Sequence, residues 1–380
     1  MHIGEMGKMT DLERFLAVME YKPFDRVPHH ELGFWPQTTQ RWEAEGAGHD
    51  DIWYDWWTGP GYFGFDKREY INATFTMIPQ FESKLLERTE RYETIIDELG
   101  RTRKALIEGT LGGGRMCMDT YLEFPVETHD DFRELKKRYV ASLDQRYPAN
   151  LTDPTNGWKD REHVLVLGRN CAACGFYWRA REWMGTENLS YCWYDDSDLA
   201  HDMMEFFADF TIEVCGRVLQ HTDAEYFVLN EDFAGKGTLL LGPETFKTFV
   251  FKPLKRLIDF LKSHGVKYVA LDSDGTTEPM IPLMMDAGVD VHWPLERASF
   301  MDPVRLRKKF GKSLRLWGGI DKRELAKGKK EIDAHLRELQ PLVMEGGFIP
   351  TVDHTVPPDV SWDNFQYYVD SKRKLLEGKL

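Results

Sequence analysis

The chain has 380 residues, 42% of them hydrophobic and 29% charged, the balance of a soluble globular protein. Its net charge of -14 argues against a nucleic acid or an anionic membrane surface as main partner, because both call for a basic face. No apolar run reaches the length of a membrane span, and the start, MHIGEMGKMTDLERF, has neither an apolar core nor a cleavage site, so a cytoplasmic location is expected.

Thr10 and Glu13 form a capping box that opens a short helix with Leu12, Phe15, Leu16 and Met19 on one face. Residues 29–35 (HHELGFW) read as a first strand, and residues 53–66 (WYDWWTGPGYFGFD) as an irregular aromatic stretch. Residues 91–106 interleave charged and apolar positions around Gly100 and predict an antiparallel excursion. The glycines at 112–114 read as a turn or a flexible lid, with no phosphate-loop Lys-Ser/Thr after them. From residue 163 the pattern becomes regular. Strand 163–168 leads into a helical region ending near Tyr194, and a helix over 199–219 carries Met203, Phe206, Phe207, Phe210, Val214 and Val218 as a core stripe. Strand 225–229 ends in Asn230, Glu231 and Asp232, and helix 243–264 is stopped by Gly265. Strand 268–271 runs into Asp272-Ser273-Asp274-Gly275, with a helix starting near Thr277. Helices over 281–286, 303–310, 331–344 and 362–376 alternate with strands over 289–293, 314–317 and 348–352, the last ending in Asp353 and His354. Short strands alternating with helices imply βαβ units and a parallel sheet. At least six units, with no G-x-G-x-x-G after the first strand, predict a closed (β/α)8 TIM barrel in one domain, 1–380, with an N-terminal helical or irregular extension.

In such a barrel the carboxyl ends of the strands converge, and chemistry is placed there. They would gather His29 and Glu31, Asn170 and Cys171, Glu231 and Asp232, Asp272 and Asp274, Glu296, Asp321, and Asp353 with His354. Like charge at this density is costly unless a cation sits among it or protons are shared. The mixed Asp/Glu/His set suits zinc or another divalent ion, although part of it should serve as helix caps. Asp272 and Asp274 point to the same side of an extended segment. They either bind a metal together, or one holds a proton, or Asp274 caps the next helix while Asp272 is solvated. Cys171 and Cys174 form a single C-x-x-C where a zinc signal needs two, and with Cys117, Cys192 and Cys215 they make an odd count that fits reduced thiols. Trp35, Trp53, Tyr54, Trp56, Trp57, Tyr62 and Phe63 either wall a pocket for a flat substrate or form a satellite cluster under a long loop.

Glu13-Arg14-Phe15-Leu16-Ala17-Val18 with Phe24-Asp25-Arg26-Val27-Pro28 resembles the start of the uroporphyrinogen decarboxylase superfamily. So do Gly242-Pro243-Glu244-Thr245-Phe246, Met285-Asp286-Ala287-Gly288-Val289-Asp290, Trp317-Gly318-Gly319-Ile320-Asp321 and His354-Thr355-Val356-Pro357-Pro358-Asp359-Val360. The resemblance spans nearly the whole chain and implies a (β/α)8 barrel. Decarboxylases of that family carry an arginine-rich motif just after the first strand. Here that place holds no arginine until Arg41, which argues against a porphyrinogen with many carboxylates. The other branch passes methyl groups to the cobalt of a separate corrinoid protein, and several members hold zinc by a His-x-Cys and a last-strand Cys. This chain has Asp272-x-Asp274 and His354 at those places. It is most similar to the members that demethylate methoxylated aromatics, with Asn230-Glu231-Asp232-Phe233-Ala234-Gly235-Lys236 close to their strand-end segment. The resemblance therefore implies an O-demethylating methyltransferase with cobalamin (corrinoid) on a partner protein, and room for a homodimer. Asp272, Asp274, His354 and Glu231 would be the catalytic and metal-binding set, and His29, Glu31, Trp35, Asn230 and Asp232 would hold the substrate. The alternatives are a decarboxylase of a small or aromatic acid, and a non-catalytic barrel that binds a corrinoid or porphyrin.

Overall fold

The computed structural model describes residues 7–52, 61–111, 114–168 and 175–380. Trp53, Tyr54, Trp56, Trp57, Asn170, Cys171, Cys174 and the glycines at 112 and 113 lie outside the described residues. The continuous apolar runs at 164–167, 226–229 and 268–271 become the centre of a parallel sheet, as strands buried on both faces should. Seven strands follow one another in chain order around it: Arg68–Tyr70, Val164–Leu167, Tyr226–Asn230, Tyr268–Asp272, Val291–Trp293, Arg315–Trp317 and Phe348–Ile349. The architecture is the (β/α)8 barrel class.

The first stave of the barrel differs from expectation. Residues 29–33 form no strand, and Phe34 makes only an isolated bridge to Val356. Pro28 and Pro36 lack N–H donors, and Gly33 sits at φ +131°, so a regular ladder is not available there. The segment instead closes the seam between the first and last strands piecemeal. Asp66 N–H donates to the His29 carbonyl at 2.9 Å, and Trp35 N–H to the Val356 carbonyl at 3.2 Å. The strand Arg68–Tyr70, hidden in a charged stretch, takes the ladder position beside it.

Strand parity separates two cores. Leu165, Leu167, Phe227, Leu229, Val269 and Leu271 face outward and pack under helices such as Ser197–Leu219 and Phe251–Ser263. Val164, Val166, Tyr226, Val228, Tyr268 and Ala270 face the lumen. The same two-residue step turns Asn230 and Asp272 inward at the top. The bottom is plugged by the helix Asp11–Met19, whose Thr10–Glu13 capping box is formed. Its Phe15 lies 5.7 Å from the Tyr226 ring and 6.1 Å from those of Tyr268 and Trp317.

The excursion between the first two ladder strands is larger than expected. It is a four-stranded antiparallel sheet of Lys84–Arg88, Tyr92–Ile96, Thr102–Leu106 and Thr120–Glu123, with Gly100 at φ +81° turning the middle pair. Leu111 pairs with Gly114 across a small hairpin. Among the described residues, Cys117, Cys192 and Cys215 are free thiols, and no helix is long and apolar enough to cross a membrane.

Candidate active site at the carboxyl ends of the strands

Asp272 ends its strand level with Asn230 on one side and Trp293 on the other. Burial, followed by the charges of Asp274 and Asp232, pushes its pKa well above the usual carboxylate range. The Asn230 side-chain amide reaches the Asp272 backbone carbonyl at 3.5 Å, and its side-chain oxygen is buried without a partner among the described residues. Beyond Ser273 the chain turns at Gly275 (φ +84°), where a Cβ would stand 2.5 Å from the Ala234 carbonyl oxygen. That close approach of backbone to backbone fixes the loop carrying Asp274.

Asp274 is paired with His354, with Oδ2 3.3 Å from Nε2. Burial lowers the histidine's pKa, but the hydrogen bond and charge of Asp274 outweigh it and the net shift is upward. The Trp35 and His354 rings lie 5.9 Å apart and 25° from parallel. Asp232 holds a positive φ of 43° and accepts the Asp274 N–H at 3.0 Å. Burial and the charge of Asp274 push its carboxyl up as well. The mouth thus joins Asp272, Asp274, His354, Asp232, Asn230 and Trp35. It presents a carboxyl whose pKa is raised by burial and like charge, beside the Asp274–His354 contact.

Glu231 belongs to a different job. Its two oxygens accept the Phe176 and Tyr177 N–H groups at 2.9 and 2.8 Å, capping the helix Phe176–Met184 from below. Burial raises its pKa to about 7 despite those bonds. His29 and Glu31 are likewise engaged elsewhere. The Glu31 carboxylate meets Tyr368, Lys372 and the Val352 N–H in the wall, and His29 packs edge-on against Phe65 at 4.7 Å. The intervening His30 lines a small hollow inside the barrel together with Glu31, Leu32, Arg68, Trp293, Trp317 and Thr351. Tyr62 and Phe63 join a satellite cluster with Trp362 and Phe365.

Zinc held by Asp272, Asp274, His354 and Glu231 does not match these positions. Glu231 is directed at a helix end, and among the described residues no three His, Cys, Asp or Glu side chains come together as a metal-holding group. Other charged residues of the mouth had no motif to mark them. Lys322 Nζ stands 3.2 Å from Glu296 and 3.7 Å from the fully buried Asp353. Asp353 itself accepts the Arg297 and Lys322 N–H groups, so it pins loops rather than facing a ligand. Arg181 lies over the Trp178 ring and donates to the Asp232 carbonyl at 3.3 Å.

A parallel barrel with an acid, an ion pair and an aromatic ring at its carboxyl end is the architecture of a barrel enzyme whose strand-end loops carry the site. Residues 180–375 match the family described as Uroporphyrinogen decarboxylase (URO-D), more than half of the chain, and the chain belongs to that family. Among solved structures it is similar to a methyltransferase from Methanosarcina mazei, at 15% identity and a TM-score of 0.60, over 97% of this chain and 99% of that one. A B12-independent methionine synthase from Shewanella sp. W3-18-1 is matched at 11% identity and a TM-score of 0.38, over 78% of this chain and 73% of that one, too remote for argument. No curated protein matches it in sequence. The family match and the likeness to the Methanosarcina mazei structure establish the fold.

Proposed function

We propose that the chain is a methyltransferase that takes a methyl group from a methoxylated aromatic and delivers it to a separate corrinoid protein. The observation that carries the reading is Asp272 at the end of its strand, its pKa raised by burial and by the charges of Asp274 and Asp232, beside the Asp274–His354 pair. An aryl methyl ether gives up its methyl group reluctantly because phenoxide is a poor leaving group. A proton donated as the C–O bond breaks turns that leaving group into a phenol. The raised pKa of Asp272 suits it to carry such a proton, as with carboxylic acids placed in apolar sites with like-charged neighbours. His354, whose pKa Asp274 raises, stabilises in its protonated form the negative charge developing on the oxygen. Trp35 offers an aromatic face beside it, and Asn230 an open acceptor. The partner's reduced corrinoid supplies the nucleophile for the methyl carbon. The family membership and the full-length likeness to a structure named as a methyltransferase are consistent with this reading.

The test is methyl transfer to a reduced corrinoid protein from a panel of methoxybenzenes, with methanol and methylamine alongside. Turnover of the arenes supports the proposal. Turnover of methanol or methylamine with none of the arenes overturns the substrate. Carbon dioxide released from an aromatic acid without any corrinoid would establish the decarboxylase instead.

A further inference from the structure

Trp35 and His354 face each other at the mouth, yet they come from the first stave and from the loop after the last strand of the barrel. No ladder joins those two elements near residue 31. One carboxylate does. Glu31 Oε2 accepts the Val352 N–H at 2.9 Å, two residues before His354. Its Oε1 accepts Lys372 Nζ at 2.5 Å and the Tyr368 hydroxyl, both from the helix Trp362–Leu376. Lys372 also reaches the His30 carbonyl at 2.6 Å, and Arg68 donates to the Glu31 carbonyl at 3.0 Å. The ion-paired side chains of Glu31 and Lys372 are both 0% exposed. Above this knot, Val356 N–H bonds the Gly33 carbonyl at 2.9 Å and carries the alignment up to Trp35.

A buried ion pair is a weak source of stability, and an apolar pair of similar volume often does as well. What the charge adds is direction. A carboxylate takes three donors from two elements at set angles and so fixes their register against its own stave, a use for which buried polar groups are attested elsewhere. We propose that Glu31 is the positioning residue of the mouth. It locks the stave ending in Trp35 against the segment that runs from the last strand to His354, and thereby sets the ring stack and the reach of His354 to Asp274. It acts through those residues and does not touch substrate. Only the kinetic part of the test below rests on the methyl-transfer reading.

The experiment uses the full chain carrying Glu31→Leu with Lys372→Met, which removes both charges together. The Trp35 indole N–H resonance, assigned with Trp35→Phe, reports the stack in the resting protein, and His354→Ala gives its position when the stack is absent. The expected result is a folded variant whose Trp35 resonance moves to the His354→Ala position. Its kcat falls about 10²-fold with KM little changed, the size expected when a reacting group is misplaced by about 1 Å. Tyr368→Phe, which removes a single bond to the same oxygen, should move the resonance in the same direction by less, and stands in if the double variant does not fold. An unmoved resonance in either folded variant overturns the proposal. Absence of methyl transfer by the wild-type protein would refute the functional reading and leave the indole measurement decisive for positioning.

Discussion

Replacing Glu231 by Gln should change stability in a way that depends on pH, because the carboxyl is held at a pKa of about 7 against 4.5 for the free side chain. That difference makes its ionised form about 3 kcal/mol less favourable in the fold than its protonated form. An acid whose pKa is raised by folding contributes stability below its unfolded value and loses it as pH rises through the folded one. Between pH 5 and pH 8 the wild-type protein should therefore lose about 2.5 kcal/mol from this group. Gln has no proton to release. It keeps one acceptor for the Phe176 or Tyr177 N–H and sets an amide NH₂ against the other, at a cost of about 1–3 kcal/mol. Glu231→Gln should thus be destabilising by about that amount at pH 5 and close to neutral at pH 8. Urea unfolding of both proteins at the two pH values, followed by tryptophan fluorescence, measures the difference and cancels the other titrating groups. A wild-type-minus-variant difference that is independent of pH would refute the reasoning. One that grows with pH would mean that the ionised carboxylate is the favoured form, as in a metal ligand.

Asp272→Asn should lower kcat for methyl transfer about 10²–10⁴-fold with little change in KM, since a neutral amide keeps the shape but has no acidic proton to give. Asp274→Asn should bring the His354 pKa down, read by NMR titration. Its effect on stability should be at most about 1 kcal/mol because the pair is partly exposed. It should be present below the histidine's ordinary 6.5 and vanish as pH rises through the elevated value. Gly175→Ala should destabilise the protein by about 3 kcal/mol or more in thermal or urea unfolding, since its Cβ would stand 1.5 Å from the Asn230 carbonyl oxygen. Exhaustive chelation should leave methyl transfer by this subunit unchanged, with metal content measured before and after. Lost activity restored by zinc would overturn the proton-donor account.

The central strands were legible because HVLVL, EYFVL and KYVAL are unbroken apolar runs between turn signals. Arg68–Tyr70 was not, because its charges are matched by partners that no local pattern reveals. Glu69 meets the Trp158 indole and His163, and Arg68 the Glu31 carbonyl. Asp272 and Asp274 were legible as a pair from their spacing, though not their division of labour. One has its pKa raised by burial and like charge, and the other is matched to a histidine from the loop after the last strand. Glu231 looked like a third member because every strand-end carboxylate looks alike in one dimension. Its helix lies 54 and 55 residues earlier in the chain. At His29–Glu31 the residue types were noticed and their places were not, since a stave without a ladder gives no periodicity to count.

The bonds of Glu31 to Tyr368 and Lys372 span 337 and 341 residues. A ribosome must therefore add all of those residues after Glu31 before this carboxylate can find its ammonium partner. Until then the first stave lacks its contacts with the helix Trp362–Leu376, and the half-made barrel stands open along one seam. A chain cut short before residue 368 would leave Glu31 without either side-chain donor rather than at the seam of a closed cylinder.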